Sequence, residues 1–182
     1  MAIKRYKADA DNTIVNAFRP GFFTRATGSN TGQADVLEVY SIYGRETSVG
    51  VGRTSGSQEL SRVLIQFKTG DISSDRTAGT IPVSGSVSFY LRMFNAETSN
   101  TVPRDFTLTI NPISQSWQEG IGIDLENYSD LTFNNPGSNW MSASNSTGWT
   151  DIDGTSLVGG SIITSSDDYL YEQTFDTGLE DL

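Results

Sequence analysis

The chain has 182 residues, a net charge of −10, and neither cysteine nor histidine. Without these two residue types, it can form no disulfide, no thiolate or imidazole metal site, no cysteine nucleophile and no Ser-His-Asp triad, which lowers the expectation of an enzyme. A chain of this length predicts a single domain, here 1–182, that needs no covalent cross-link because it buries roughly 70% of its extended surface.

The N-terminal sequence MAIKRYKADADNT contains no apolar core of a secretory signal. No apolar run approaches the roughly 20 residues that a membrane-spanning helix needs. We therefore expect a soluble protein that is made in a cytoplasm and has no membrane partner.

Charge is distributed unevenly along the chain. Residues 1–104 hold all twelve basic residues and nine acids (net +3), whereas residues 105–182 hold thirteen acids and no base (net −13). This asymmetry is typical of a solvated acidic face, or of a module whose acidic end meets a basic neighbour or binds cations. The overall negative charge argues against nucleic acid as the main partner.

Short alternating hydrophobic runs separated by Ser, Thr, Gly and Asn predict an all-β chain without a capped amphipathic helix. Strands are expected at 13–18, 36–43, 61–72, 82–94, 106–111, 155–163 and 169–175. Long loops are expected at 19–35, 44–58 and 123–160, and a turn-rich link at 71–80. Strands in this number, with polar connections, favour an antiparallel two-sheet sandwich.

The clearest strand is 61–72. Its alternation puts Val63 and Phe67 on one face and Arg62 and Leu64 on the other. Since both faces carry apolar residues, we expect a central strand that is covered on both sides. A buried Arg62 would need a carboxylate or carbonyl partner; the alternative is an arginine that extends to solvent at the rim of the sheet.

Several motifs, in this order, resemble the DNRLRE-type β-sandwich, a jelly-roll relative of carbohydrate-binding modules. They are the opening Ala-Asp-Ala-x-x-x-Ile segment at 8–14, the Ser-Arg-x-Leu-x-x-Phe strand at 61–67, the Trp-x-Glu-Gly turn at 117–120, and a loop tryptophan at Trp140. The resemblance implies a jelly-roll-like sandwich in which Arg62, Trp117 and Glu119 are structural residues. The family pattern continues beyond the equivalent of 178–182, so the resemblance also implies that the last strands are lacking or that the chain is the N-terminal part of a longer one.

The sequences MAIKRYKADADNT and ISQSWQEGIGIDLENYSDL resemble those of structural proteins of marine tailed phages. This resemblance implies a non-enzymatic virion protein, either a capsid decoration (cement) protein or a neck or tail accessory protein. Its partners would be capsid or tail subunits and further copies of itself. An incomplete sheet fits such a role, because its unpaired edge can pair with another chain.

Two groups of residues leave other functions open. The carboxylate pairs Asp9/Asp11, Asp151/Asp153 and Asp167/Asp168 are typical of turns or of a structural calcium site, and less so of catalysis; we expect no other cofactor. The aromatic candidates are anchors of the core or of an interface, or platforms for sugar stacking: Trp140, Trp149, Tyr169 and Tyr171. Sugar stacking would make the chain a carbohydrate-binding module of a host-recognition fibre.

Overall fold

A computed structural model describes residues 3–17, 26–44, 57–83, 85–97, 105–111, 113, 115–123, 137–150 and 171–176. Within these ranges the chain is mostly strands in antiparallel sheets, with one short helix. The elements are β1 (Ala8–Val15), β2 (Ser41–Gly44), β3 (Ser57–Phe67), α1 (Thr69–Thr77), β4 (Asp105–Ile110), β5 (Ser142–Ser144), β6 (Thr147–Gly148) and β7 (Tyr171–Asp176).

The strand that was clearest in the sequence is the centre of a three-stranded sheet with the order β1-β3-β2. Both neighbours run antiparallel to β3; Ile14 lies opposite Arg62 and Ser41 opposite Leu60. The prediction of a central strand is therefore confirmed. The strand begins four residues earlier than expected and ends at Phe67, where the chain turns into α1.

Both faces of this sheet are covered along β1. Residues 12–15 are consecutive and all buried, which a strand permits only if side chains pack against each face. Ile14 and Leu64 lie in one apolar cluster, and Val15 lies in a second with Ala17 and Tyr40. On β3 it is the Leu64 face that carries the main cluster, whereas Val63, Ile65 and Phe67 are only half-buried.

Two further antiparallel pairs contain the remaining strands. β4 pairs with β7 from Asp105 opposite Asp176 to Ile110 opposite Tyr171. These strands confirm those expected at 106–111 and 169–175. β5 and β6 form a hairpin that turns at 145–146, inside the range 123–160 that was expected to be a loop.

The expectation of a turn-rich link at 71–80 is wrong, because Thr69–Thr77 form the helix α1. No residue of this helix is buried, so it has no apolar stripe by which the sequence could reveal it. Asp71 in its first turn and Arg76 in its last turn suit the helix dipole. The hydroxyl of Ser74 donates to the carbonyl of Gly70 within the helix.

The strand predicted at 82–94 is also not found. Apart from residue 84, which lies outside the described ranges, these residues belong to no sheet. In the range 36–43, the strand β2 begins only at Ser41, and Tyr40 just before it accepts a hydrogen bond from the N–H of Ser61 in β3. Alternation reports which side chains could share a face, but a strand also needs a hydrogen-bonding neighbour. The strand expected at 155–163 lies outside the described residues.

In the described part of the chain, no helix is both long enough and apolar enough to span a bilayer.

Candidate functional site

The candidate site is a cluster in which Arg62 of β3 meets the ring of Trp140. The guanidinium carbon lies 4.6 Å from the centre of that ring, within the range of a cation–π interaction. Burial lowers the pKa of the Arg62 guanidinium, because removal from water disfavours its charged form. We expected an acid or a carbonyl as the partner of Arg62, but the partner observed among the described residues is the face of the Trp140 ring. The ion pair that the described residues contain joins Lys4 to Asp75.

The two candidate tryptophans are core residues. Trp140 is 6% exposed and Trp149 is 9% exposed, and both pack with Ile14, Leu64 and Ala143. The indole Nε1–H of Trp149 donates to the carbonyl of Asn139 at 2.8 Å, which satisfies its only polar group. Rings buried in this way anchor the segment 137–150 against the sheet and offer no open face to a sugar.

The Trp-x-Glu-Gly turn joins this cluster to β1. Trp117 is half-buried against the cluster, and the N–H of Gln118 donates to the carbonyl of Ala143 at 2.9 Å. Glu119 accepts a hydrogen bond from the backbone N–H of Asp11 at its Oε1, at 2.9 Å. Burial, and then the negative charge of Glu119, raise the pKa of Asp11. The turn is therefore held between the apolar cluster, through Trp117, and the backbone of β1, through Glu119.

A buried amide on β1, Asn12, makes further connections near the cluster, and the sequence did not reveal it. Asn12 is fully buried; its Nδ2 donates to the hydroxyl of Ser138 at 2.8 Å and to the Ser138 carbonyl at 3.1 Å. Its Oδ1 accepts from the N–H of Thr31 at 3.1 Å. One side chain thus connects β1 with two segments that are distant in the sequence. Nothing in the local pattern distinguishes Asn12 from a solvated asparagine.

Glycines allow the backbones around this amide to approach closely. Asn30 accepts a hydrogen bond at Oδ1 from the N–H of Gly122 at 3.1 Å. A Cβ atom at Gly120 would collide with the Asn30 side chain, and one at Gly122 would collide with the Asn30 carbonyl. Gly137 lies against Gly120 and has a φ of +114°, which glycine adopts without strain. We call Asn12, Asn30, Gly120, Gly122 and Ser138 the polar junction.

A second cluster joins the N-terminal segment to α1. Lys4 forms an ion pair with Asp75 at 3.0 Å, and the Tyr6 hydroxyl donates to the same carboxylate at 2.7 Å. Burial and this hydrogen bond raise the pKa of Tyr6 to about 12. The hydrogen bonds from Tyr6 and Lys4 lower the pKa of Asp75. A cavity of about 340 Å³ beside them is also lined by Lys7 and Lys68.

The remaining candidates are not brought together with the cluster by the described structure. Tyr169 lies outside the described residues, as do the carboxylate pairs Asp151/Asp153 and Asp167/Asp168, and for Tyr171 only the backbone in β7 is described. Asp9 contacts Gln66 at 3.5 Å. Within the described ranges, no three acidic, histidine or cysteine residues are placed so that they could hold a metal ion.

The arrangement of the candidate site is that of a closed structural cluster. Its arginine faces a ring, its tryptophans are covered, and its amides bond to backbone groups. Comparison of the chain with protein-family models, with curated proteins and with solved structures finds no match.

Proposed function

We propose that this chain is a non-enzymatic structural subunit of a phage particle, either a capsid decoration protein or a neck or tail accessory protein. It acts by burying its surface against neighbouring capsid or tail subunits. In this proposal the antiparallel sheets belong to a jelly-roll-like sandwich related to the DNRLRE type.

The observation that carries the proposal is the balance of buried and exposed apolar residues. Among the described residues, nine hydrophobic residues are buried and three of these are alanines, whereas fourteen large hydrophobic residues are exposed. Isolated exposed apolar side chains are ordinary, but a surface that exposes more large apolar residues than the core contains is typical of a protein that functions in contact with others.

The candidate site supports a structural role as well. Arg62, Trp140 and Trp149 stabilise the fold and are closed to a ligand, so the carbohydrate-binding alternative has less support. The acidic sequence after residue 104 adds a means of recognition, because a basic surface on a capsid or tail subunit would attract it.

The proposal is tested on particles of the phage that encodes the chain. Mass spectrometry of purified particles should find the chain in a fixed ratio to the major capsid or tail protein, and cryo-electron microscopy should locate it. If the chain is abundant in infected cells but absent from purified particles, the proposal is wrong.

A rebinding experiment then locates the contact surface. Particles stripped of the chain are incubated with purified chain, and the bound fraction is measured after sedimentation. The double variant Val39→Glu, Ile42→Glu places two charges on an exposed apolar edge and should reduce binding at least about tenfold. Ile113→Glu, at an equally apolar exposed position outside the edge, is the matched control.

A further inference from the structure

Residues 85–97 have a sequence with strand character but no strand partner among the described residues; the guanidinium carbon of Arg76 in α1 lies 5.9 Å from the centre of the Phe89 ring. They belong to no helix or sheet, and none of their backbone groups takes part in a hydrogen bond between described residues. Their sequence nevertheless alternates apolar residues over 87–93, with β-branched and aromatic residues that favour strands. A backbone of this kind can be completed by another chain.

The same segment exposes its large side chains. Phe94 is 90% exposed, Tyr90 is 89% exposed and Phe89 is 57% exposed, and Leu91 and Met93 are exposed beside them. Five large apolar residues are exposed within six consecutive positions, and in an extended strand three of them would lie on one face and two on the other, so the segment has an apolar surface on both faces. Such a surface marks an interaction site.

The order of the residues identifies the partner, because the segment is complementary to itself. If two copies run antiparallel about Leu91, each Phe89 lies opposite Met93 of the other copy and the two Leu91 side chains meet on the two-fold axis. The charged Arg92 then lies opposite Tyr90, a favourable cation–π pair. Phe89 and Met93 also form a favourable sulfur–aromatic pair.

A centre of symmetry at Arg92 fits less well. A centre at Arg92 would place two guanidinium groups directly opposite each other, which is unfavourable across a sheet. With the centre at Leu91, each of the apolar residues 89, 91 and 93 lies opposite an apolar residue of the other copy. The five large side chains would bury roughly 500 Å² in each copy, near the lower limit of a specific interface.

We infer that residues 88–94 pair antiparallel with the same residues of a second copy, so that the chain forms a symmetric dimer through this added strand pair. The inference names the first partner within the proposed assembly, but the dimer forms in purified protein without a phage particle. An interface near this lower limit is that of a weak complex, for which we expect a dissociation constant of about 10 micromolar.

Single-cysteine variants test the register, because the natural chain has no cysteine. Directly opposite residues in an antiparallel pair have Cα atoms about 4.5–5.5 Å apart, within the range of a disulfide. Leu91→Cys should therefore form a cross-linked dimer under mild oxidation. Phe94→Cys should not, since its own counterpart would lie about 20 Å away along the strands. A mixture of Phe94→Cys and Ser88→Cys chains should cross-link, because these positions lie opposite each other.

Sedimentation equilibrium provides an independent measurement. Leu91→Glu places two carboxylates together on the axis and removes two leucines from the interface, so the dissociation constant should rise roughly 100-fold. Val83→Glu, at an exposed apolar position outside the segment, should leave the constant unchanged.

The inference is overturned if the natural chain is monomeric at about 100 micromolar, well above the expected micromolar constant, or if Leu91→Cys and Phe94→Cys cross-link equally. If the chain forms the dimer but does not bind particles, this inference holds and the proposed function is wrong. If a monomeric chain binds particles, the proposed function holds and this inference is wrong.

Discussion

The contact between Arg62 and Trp140 gives the sharpest prediction about stability. The guanidinium carbon lies 4.6 Å from the ring centre, and the ring is only 6% exposed. Cation–π contacts range from about 0.5 kcal/mol at exposed sites to about 2 kcal/mol when desolvated, and this one belongs near the upper end. The aliphatic stem of Arg62 adds packing, whereas desolvation of the charge subtracts from the gain.

We therefore expect Arg62→Ala to lower the free energy of unfolding by about 2 kcal/mol, which corresponds to a fall in Tm of roughly 4–8 °C for a chain of this size. Arg62→Lys keeps the charge but loses the planar stacking, and should cost about 1 kcal/mol. Urea unfolding followed by tryptophan fluorescence measures both. Arg5→Ala, at an exposed arginine, is the control and should change stability by less than about 0.5 kcal/mol.

A double-mutant cycle separates the contact from the other effects of each substitution. Arg62→Met retains the stem, Trp140→Leu retains an apolar side chain, and the cycle should return a coupling free energy of about 1–2 kcal/mol. A coupling below about 0.5 kcal/mol, which is the scatter of independent sites, would refute the contact. If Arg62→Ala left stability unchanged and abolished a binding activity, its structural role would be the wrong interpretation.

Three further predictions concern the other clusters, and urea unfolding measures the first two. Asn12→Ala should cost about 2–4 kcal/mol, because three hydrogen bonds between buried groups are lost. Gly120→Ala should cost at least about 2 kcal/mol, since its Cβ meets a packed side chain, whereas Gly70→Ala on α1 has open space and should cost nothing. The pKa of Tyr6 is about 12 in the folded protein, against an ordinary value of 10.0. The stabilisation from its hydrogen bond to Asp75 is therefore fully present below pH 10 and is lost as the pH rises towards 12. In a titration followed by tyrosinate absorbance, Tyr6→Phe should lack one ionisation step near pH 12.

The sequence predicted those strands in which apolar and polar residues alternate and which have a hydrogen-bonded neighbouring strand in the structure. β3, β4 and β7 were expected near their observed positions, and the central place of β3 followed from Leu64 on its second face. β1 was expected to begin at residue 13, but it begins at Ala8. Its first residues, Ala-Asp-Ala-Asp-Asn, have poor strand propensity, and pairing with β3 overrides that propensity.

The candidate site could be predicted only in part, for a different physical reason. The sequence singled out Arg62, Trp117, Glu119 and Trp140 individually, but the pairing of Arg62 with Trp140 depends on where a long connection returns to the sheet. Asn12 and Ser138, which bond directly, are separated by 126 positions in the chain. Burial of an amide depends on such tertiary contacts, and residue type alone does not contain them.

The polar junction also suggests why so much apolar surface remains outside the core. Among the described residues, seven polar residues are buried, about as many as the buried large apolar residues. Hydrogen bonds therefore contribute much of the interaction between β1 and the segments around it. Such bonds define one arrangement of the chain, yet each adds only about 1 kcal/mol, because the same groups also bond well to water. A fold built in this way is specific but modestly stabilised when alone. Burial of exposed residues such as Tyr90 and Phe94 against a neighbour then adds the apolar contribution that the core lacks, and stability should rise with protein concentration wherever the dimer forms.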